Sequence, residues 1–121
     1  MKKQRSNVSQ LHRDVYNLVK ECYPNEKIRE EEPINVGGKT LYLDIFIPRL
    51  KIAVECDGEQ HFKFNKFYHT NSAAFVQQKK NDELKNGYCE DNNISLARVK
   101  FDDKLTKDLM MDKILTALTG D

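Results

Sequence analysis

The stretch Leu41-Tyr42-Leu43-Asp44-Ile45-Phe46-Ile47-Pro48, followed after Arg49-Leu50-Lys51 by Ile52-Ala53-Val54-Glu55-Cys56-Asp57-Gly58, decides how this chain folds. Leu41, Leu43, Ile45 and Ile47 alternate with Tyr42, Asp44 and Phe46, the period of two expected of a half-buried strand. Pro48, which has no N–H to give to a ladder, stops it. Asp44 is therefore expected to point away from the Leu/Ile face. Ile52-Ala53-Val54 follows closely enough to be the hairpin partner, and Gly58 bends the chain out of the sheet. The pairing predicts that Asp44 and Glu55 are neighbours on adjoining strands.

Working outward, Gly37-Gly38 supplies a tight turn, and Lys27 to Ile34, acidic at Glu30-Glu31-Glu32, reads as an exposed or edge strand. Before it, Val8, Leu11, Val15, Leu18 and Cys22 recur at steps of three and four, one face of an amphipathic helix. Ser6 or Asn7 suits its N-cap, and Tyr23-Pro24-Asn25 ends it. On the other side, Gln60 to Asn71 is aromatic and basic without clean periodicity, as in a functional loop. Ser72 to about Asn92 predicts a long helix bearing Lys79, Lys80, Asp82, Lys85 and Asn86; Ile94, Leu96 and Val99 mark a short strand. Leu105, Leu109, Met110, Ile114 and Leu118 give a closing helix whose apolar face covers the core and would also suit a homodimer. The order is helix, three strands, helix, strand, helix: an α/β (α+β) chain without internal repeats.

The 121 residues fit a single domain over 1–121 with one hydrophobic core. Hydrophobic residues at 39% and charged residues at 32% exclude a disordered or collagen-like chain. Twenty Lys plus Arg nearly cancel 19 Asp plus Glu, for a net charge of +1, so bulk charge neither demands nor excludes a polyanion. The basic lead Met1-Lys2-Lys3-Gln4-Arg5 is followed by no apolar run of signal or membrane length, so a cytoplasmic address with no membrane contact is expected. Cys22, Cys56 and Cys89 form an odd set without CxxC spacing, which predicts reduced thiols. A zinc site drawn from these with His12, His61 and His69 lacks ligand spacing.

Two acids facing each other across a hairpin repel, and a charged acid at the end of an apolar strand is costly; a divalent cation resolves both. Asp44 and Glu55, with the backbone carbonyl of Cys56, are hard oxygen donors suited to magnesium, with manganese as a substitute. A lone strand acid is usually a solvated residue. The coincidence of two acids on successive strands, a third at Asp57, a glycine bend and a basic aromatic loop is what points to chemistry. Asp57 either completes the ligand set or belongs to an ordinary Asp-Gly turn. His61 suits proton transfer, because its ordinary pKa lies near neutrality, and Gln60 suits orienting water or phosphate unless it is a surface amide. Asp82 and Lys85, three apart, share one helix face, where a simple ion pair is the plain alternative to a catalytic role. Lys63, Lys66, Tyr68 and His69, interleaved with Phe64 and Phe67 and backed by Lys79, suit phosphate contact plus base stacking; the rings would equally pack beneath the sheet.

These residues resemble the PD-(D/E)XK nuclease superfamily, and more narrowly the branch similar to very-short-patch repair endonucleases and related phage and giant-virus homing-type nucleases. That branch carries an acid-bearing strand, an element "(I/V)ExDGxQHF" and a helix with "DxxKNxYCxxNxIxLxR". Here they read Leu43-Asp44-Ile45-Phe46-Ile47-Pro48, Val54-Glu55-Cys56-Asp57-Gly58-Glu59-Gln60-His61-Phe62, and Asp82-Glu83-Leu84-Lys85-Asn86-Gly87-Tyr88-Cys89 leading to Asn93-Ile94-Ser95-Leu96-Ala97-Arg98. The resemblance, over about residues 8 to 103, implies a restriction-endonuclease-like core and a magnesium-dependent DNA endonuclease. It also implies that Asp82 and Lys85 sit over the active site, so that Lys85 neutralises phosphate charge. Asp57 stands where the superfamily places its usual lysine, which passes proton handling to Lys85, Gln60 or His61. Related nucleases place an acid in the first helix; Gln10, His12 and Asp14 stand there, and either His12 substitutes or the helix contributes nothing. The alternative is a non-catalytic module that keeps the fold and binds nucleic acid or protein.

Overall fold

The computed structural model describes residues 9–59 and 72–120. Its elements are α1 (Gln10–Cys22), β1 (Arg29–Val36), β2 (Lys39–Ile47), β3 (Ile52–Asp57), α2 (Ser72–Asp91), β4 (Ser95–Lys100) and α3 (Lys107–Thr119). The strands form one mixed sheet in the order β1-β2-β3-β4, antiparallel except for the parallel β3–β4 pair. Gly37 and Gly38, with φ of +57° and +79°, make the two-residue turn between β1 and β2, a conformation that needs positive φ at both positions. The acidic strand β1 lies at the sheet edge, as its composition predicts.

Local chemistry explains the helix ends. Ser9 caps α1 by accepting from the His12 N–H, and Thr106 caps α3 by accepting from the Leu109 N–H. The expected caps Ser6 and Asn7 lie outside the described residues, and the cap falls later because Ser9 is the hydroxyl in reach of the first free amides. Gly120, at φ +79°, closes α3.

The sheet is covered on both faces. Helices α1 and α3 pack together over one face, where Val15, Val19, Ile45, Ile47, Ile52, Val54, Ala97, Val99, Met110 and Ile114 form the larger core. Helix α2 lies over the other, where Ile34, Leu41, Leu43, Ala53 and Cys89 form the smaller one. Each fully buried aliphatic side chain contributes about 1.5–3 kcal/mol, so these clusters hold the fold.

The split corrects the expectation of one Leu/Ile face on β2. Leu41 and Leu43 pack on the α2 side, Ile45 and Ile47 on the α1/α3 side, so the alternation reverses at Asp44. Opposite it on β1, where Glu30 pairs with Ile45 and Glu32 with Leu43, Glu31 takes φ +54°. Left-handed backbone is uncommon for a glutamate and persists only where surrounding structure enforces it. The distortion brings Asp44 to a seam between strands rather than to a simple outer face.

Candidate metal centre

The β2–β3 ladder has the pairs Ile47–Ile52, Phe46–Ala53 and Ile45–Val54, and there the regular pairing ends. Beyond it, side chains replace backbone acceptors. The Asp44 N–H donates to Glu55 Oε2 at 2.7 Å, and the Cys56 N–H donates to Asp44 Oδ2 at 2.8 Å. Each carboxylate thus grips the other's strand, and the two acids meet in one seam. The expected neighbourhood of Asp44 and Glu55 is what the structure places there.

Glu55 is buried and its Oε1 accepts from Lys85 Nζ of α2 at 2.8 Å. Asp82, Lys85, Asn86 and Cys89 fall on one side of α2 by their three- and four-residue spacing. Lys85 meets Glu55, Asn86 and the Asp82 carbonyl meet Arg98, and Cys89 enters the smaller core. Asp57, also buried, pairs with Arg98 Nη1 at 2.8 Å, and Arg98 Nη2 reaches Asn86 Oδ1 at 2.7 Å and the Asp82 carbonyl at 3.2 Å. Asp57 therefore stands in an ion pair tying β3, β4 and α2 together, a role that the parallel β3–β4 register, Glu55 beside Arg98, makes possible.

On the α1 side, His12 is buried, with Nε2 3.0 Å from Glu30 Oε1 and Nδ1 4.0 Å from Glu31 Oε2. One ligand atom each from His12, Asp44 and Cys56 lies within 4.8 Å of the others. Sequence spacing alone misses this group, although His12 stands one turn before Val15 on the buried side of α1, the signal that would have found it. Gln10 and Asp14, the other first-helix candidates, hydrogen-bond to each other on the exposed side.

Burial pushes the Asp44 carboxyl up from its ordinary 3.8 to about 6, and the neighbouring Glu55 charge adds to it, against the Cys56 N–H, Lys85 and His12. Burial works to lower the Lys85 ammonium, but Glu55, then Asp44 and Asp82, outweigh it and hold the pKa above the ordinary value. Lys85 is thus a fixed cation at neutral pH rather than a proton acceptor. Burial, followed by Asp44, Glu55, Asp57 and Glu31, pushes the Cys56 thiol up. The donor set fits a cation: paired carboxylate oxygens suit a hard ion such as magnesium, and an acid held above its usual range in an acidic seam gains from one. Among the described residues no buried side-chain N or O lacks a hydrogen-bond partner.

Gln60, His61, Lys63, Lys66, Tyr68 and His69 lie outside the described residues; Lys79 is exposed on α2. A groove of about 570 Å³ between the end of α2, β4 and the end of α3 is lined by Arg98, Asn86 and Glu90 but not by Asp44, Glu55 or Asp57. No helix among the described residues is long and apolar enough to cross a membrane.

The chain is similar to the uncharacterized protein 307L of Invertebrate iridescent virus 6, 43% identical over 65 residues that cover 54% of this chain and 33% of the relative. It is also similar to the uncharacterized protein 033L of Invertebrate iridescent virus 3, 38% identical over 71 residues, 59% of this chain and 37% of the relative. The matched segments thus span about a third of those relatives' length. No family model matches, and no solved structure matches.

Proposed function

We propose that the chain is a magnesium-dependent nuclease that hydrolyses or nicks DNA, built on a restriction-endonuclease-like core. The observation that carries this reading is the seam between adjacent antiparallel strands in which Glu55 accepts from the Asp44 N–H and Asp44 from the Cys56 N–H, while Lys85 caps Glu55. The order of elements, with the acids on the second and third strands, supports the same reading.

Asp44 and Glu55, with the Cys56 carbonyl, would hold the cation. When bound, it supplies Lewis-acid polarisation of the scissile phosphate and a more acidic water. Lys85, fixed as a cation 2.8 Å from Glu55, neutralises charge on a phosphate oxygen. His61 is assigned to proton transfer, Gln60 to orienting water, and Lys63, Lys66, Tyr68, His69 and Lys79 to contact with the nucleic acid. Asp57 holds Arg98 and through it the α2 face that presents Lys85.

The test is cleavage of duplex, mismatched, branched and single-stranded DNA and of RNA by the purified protein, with magnesium or manganese, against EDTA and Asp44→Ala. Cleavage that requires the ion and Asp44 is the expected result; none on any substrate overturns the proposal. A second reading, a binding module without catalysis, is favoured by the full hydrogen bonding of both acids. It predicts nucleic-acid or protein binding unchanged in Asp44→Ala and Glu55→Ala, with no magnesium uptake by calorimetry.

A further inference from the structure

The side of the seam that faces α1 differs chemically from the side that faces α2. Toward α2 the donors are oxygens opposed by an ammonium; toward α1 they are an imidazole, a thiol and one carboxylate. His12, Asp44 and Cys56 come from α1, β2 and β3, separated in sequence but with ligand atoms within 4.8 Å of one another. Zinc ligands stand about 2.0–2.3 Å from the ion and hence up to about 4 Å from each other, so closure asks for a shift of roughly 1 Å or less.

We propose that His12, Asp44 and Cys56 form a binding site for a borderline-soft divalent cation of the zinc class. Three features support it. His12 is buried and orientationally fixed: its Nε2 stands 3.0 Å from Glu30 Oε1, the arrangement in which a carboxylate takes one ring N–H and leaves the other nitrogen to a metal. Cys56 lies in a field of carboxylates, Asp44, Glu55, Asp57 and Glu31, which attracts a cation. Glu31, in left-handed backbone at φ +54°, has its carboxylate 4.0 Å from His12 Nδ1, which adds negative charge beside the group.

Sulfur and imidazole select zinc or cobalt over magnesium, which prefers oxygen ligands and retained water. On binding, the Cys56 S–H bond breaks, its proton passes to solvent, and the thiolate electron pair forms the bond to the ion; no oxidation is involved. Asp44 Oδ2 keeps acceptor capacity beyond its bond from the Cys56 N–H, so ligation does not require the seam to open. The site shares Asp44 with the magnesium reading but does not depend on nuclease activity: it stands or falls on metal binding alone.

The experiment is titration of the metal-free 121-residue chain with cobalt(II) and zinc(II), by absorption spectroscopy and calorimetry. The expected result is one equivalent bound and a thiolate-to-cobalt charge-transfer band that zinc removes by displacement. Cys56→Ser loses the band, a Cys22→Ser/Cys89→Ser double variant keeps it, and Glu30→Gln weakens binding by about 10- to 100-fold. Should Cys56→Ser misfold by circular dichroism, zinc protection of Cys56 from alkylation in the wild-type chain, read by mass spectrometry, gives the same answer. Absence of the band in the wild-type chain, a band that follows Cys22 or Cys89, or Cys56 alkylated equally with and without zinc overturns the proposal.

Discussion

Glu55 and Asp57 leave the same strand two residues apart, and each meets a cation at 2.8 Å, yet the two pairs are built differently. Arg98 spends its planar fork on Asp57, Asn86 and the Asp82 carbonyl, so the guanidinium is fixed between β3, β4 and α2. Among the described residues Lys85 makes one hydrogen bond, to Glu55, and an ammonium has three donors. Glu55 in turn shares its seam with Asp44, whereas Asp57 has Arg98 as its ion-pair partner. A fork bound on three partners makes a pin; on the proposed reading, the point charge beside two acids is where a phosphate lands. Under that proposal, the difference separates a structural pair from a reactive one on a single strand.

The sharpest way to break that comparison is at Asp44. Asp44→Asn keeps the side-chain shape and is expected to lower metal-dependent cleavage by roughly 10³-fold, since a lost metal ligand removes several kcal/mol of transition-state stabilisation, while the folded chain survives by circular dichroism. Cleavage within a few fold of wild type would show that the seam holds no catalytic ion. Next, Arg98→Ala takes the guanidinium from the buried Asp57 charge and is expected to cost about 3–5 kcal/mol in urea denaturation, with activity per folded molecule little changed. Lost cleavage at unchanged stability would instead move Arg98 to the reactive side.

Lys85→Ala is expected to cut cleavage by about 10²-fold, as loss of one charged donor at a developing charge does. It also leaves Asp44 and Glu55 facing each other without a cation, so magnesium should raise the melting temperature of this variant more than that of wild type; an equal shift counts against an ion between the two acids. The smallest effect concerns pH, measured with EDTA present. Asp44 is raised from 3.8 to about 6, so the folded state binds its proton more tightly than the unfolded chain does. Its contribution to stability is complete below pH about 4 and is lost as pH rises through about 6. Asp44→Asn should therefore gain on wild type across that window, by on the order of 2 kcal/mol, as read from parallel urea melts. A constant difference between the two proteins from pH 4 to 7 would contradict the shift.

Much of this was legible in the chain itself, for reasons of range. Period-two alternation from Leu41 to Ile47, the Gly37-Gly38 turn and the three-to-four spacing of Val15, Leu18 and Cys22 are local signals, and the elements follow them. The meeting of Asp44 and Glu55 was legible too, because a short hairpin has few registers. What local pattern hides is the reversal of faces at Asp44, which lies across the ladder from left-handed backbone at Glu31. The pairing of Asp57 with Arg98 was equally hidden, because it needs the parallel docking of β4 on β3 after a crossover through α2. So was the approach of His12 to Cys56, which joins a helix to a strand more than 40 residues away. Charged residues brought together by a crossover carry no periodicity to read.

The amides of Asp44 and Cys56 carry one last implication. Because both N–H groups end on carboxylate oxygens, at 2.7 and 2.8 Å, rather than on a ladder carbonyl, these two protons are built-in gauges of the charge in the seam. Any ion that draws electron density from those oxygens will loosen both bonds together, so paired movement of two resonances in a ¹H–¹⁵N spectrum, with faster solvent exchange at the same two positions, would report occupancy without substrate, variant or label on the ligand.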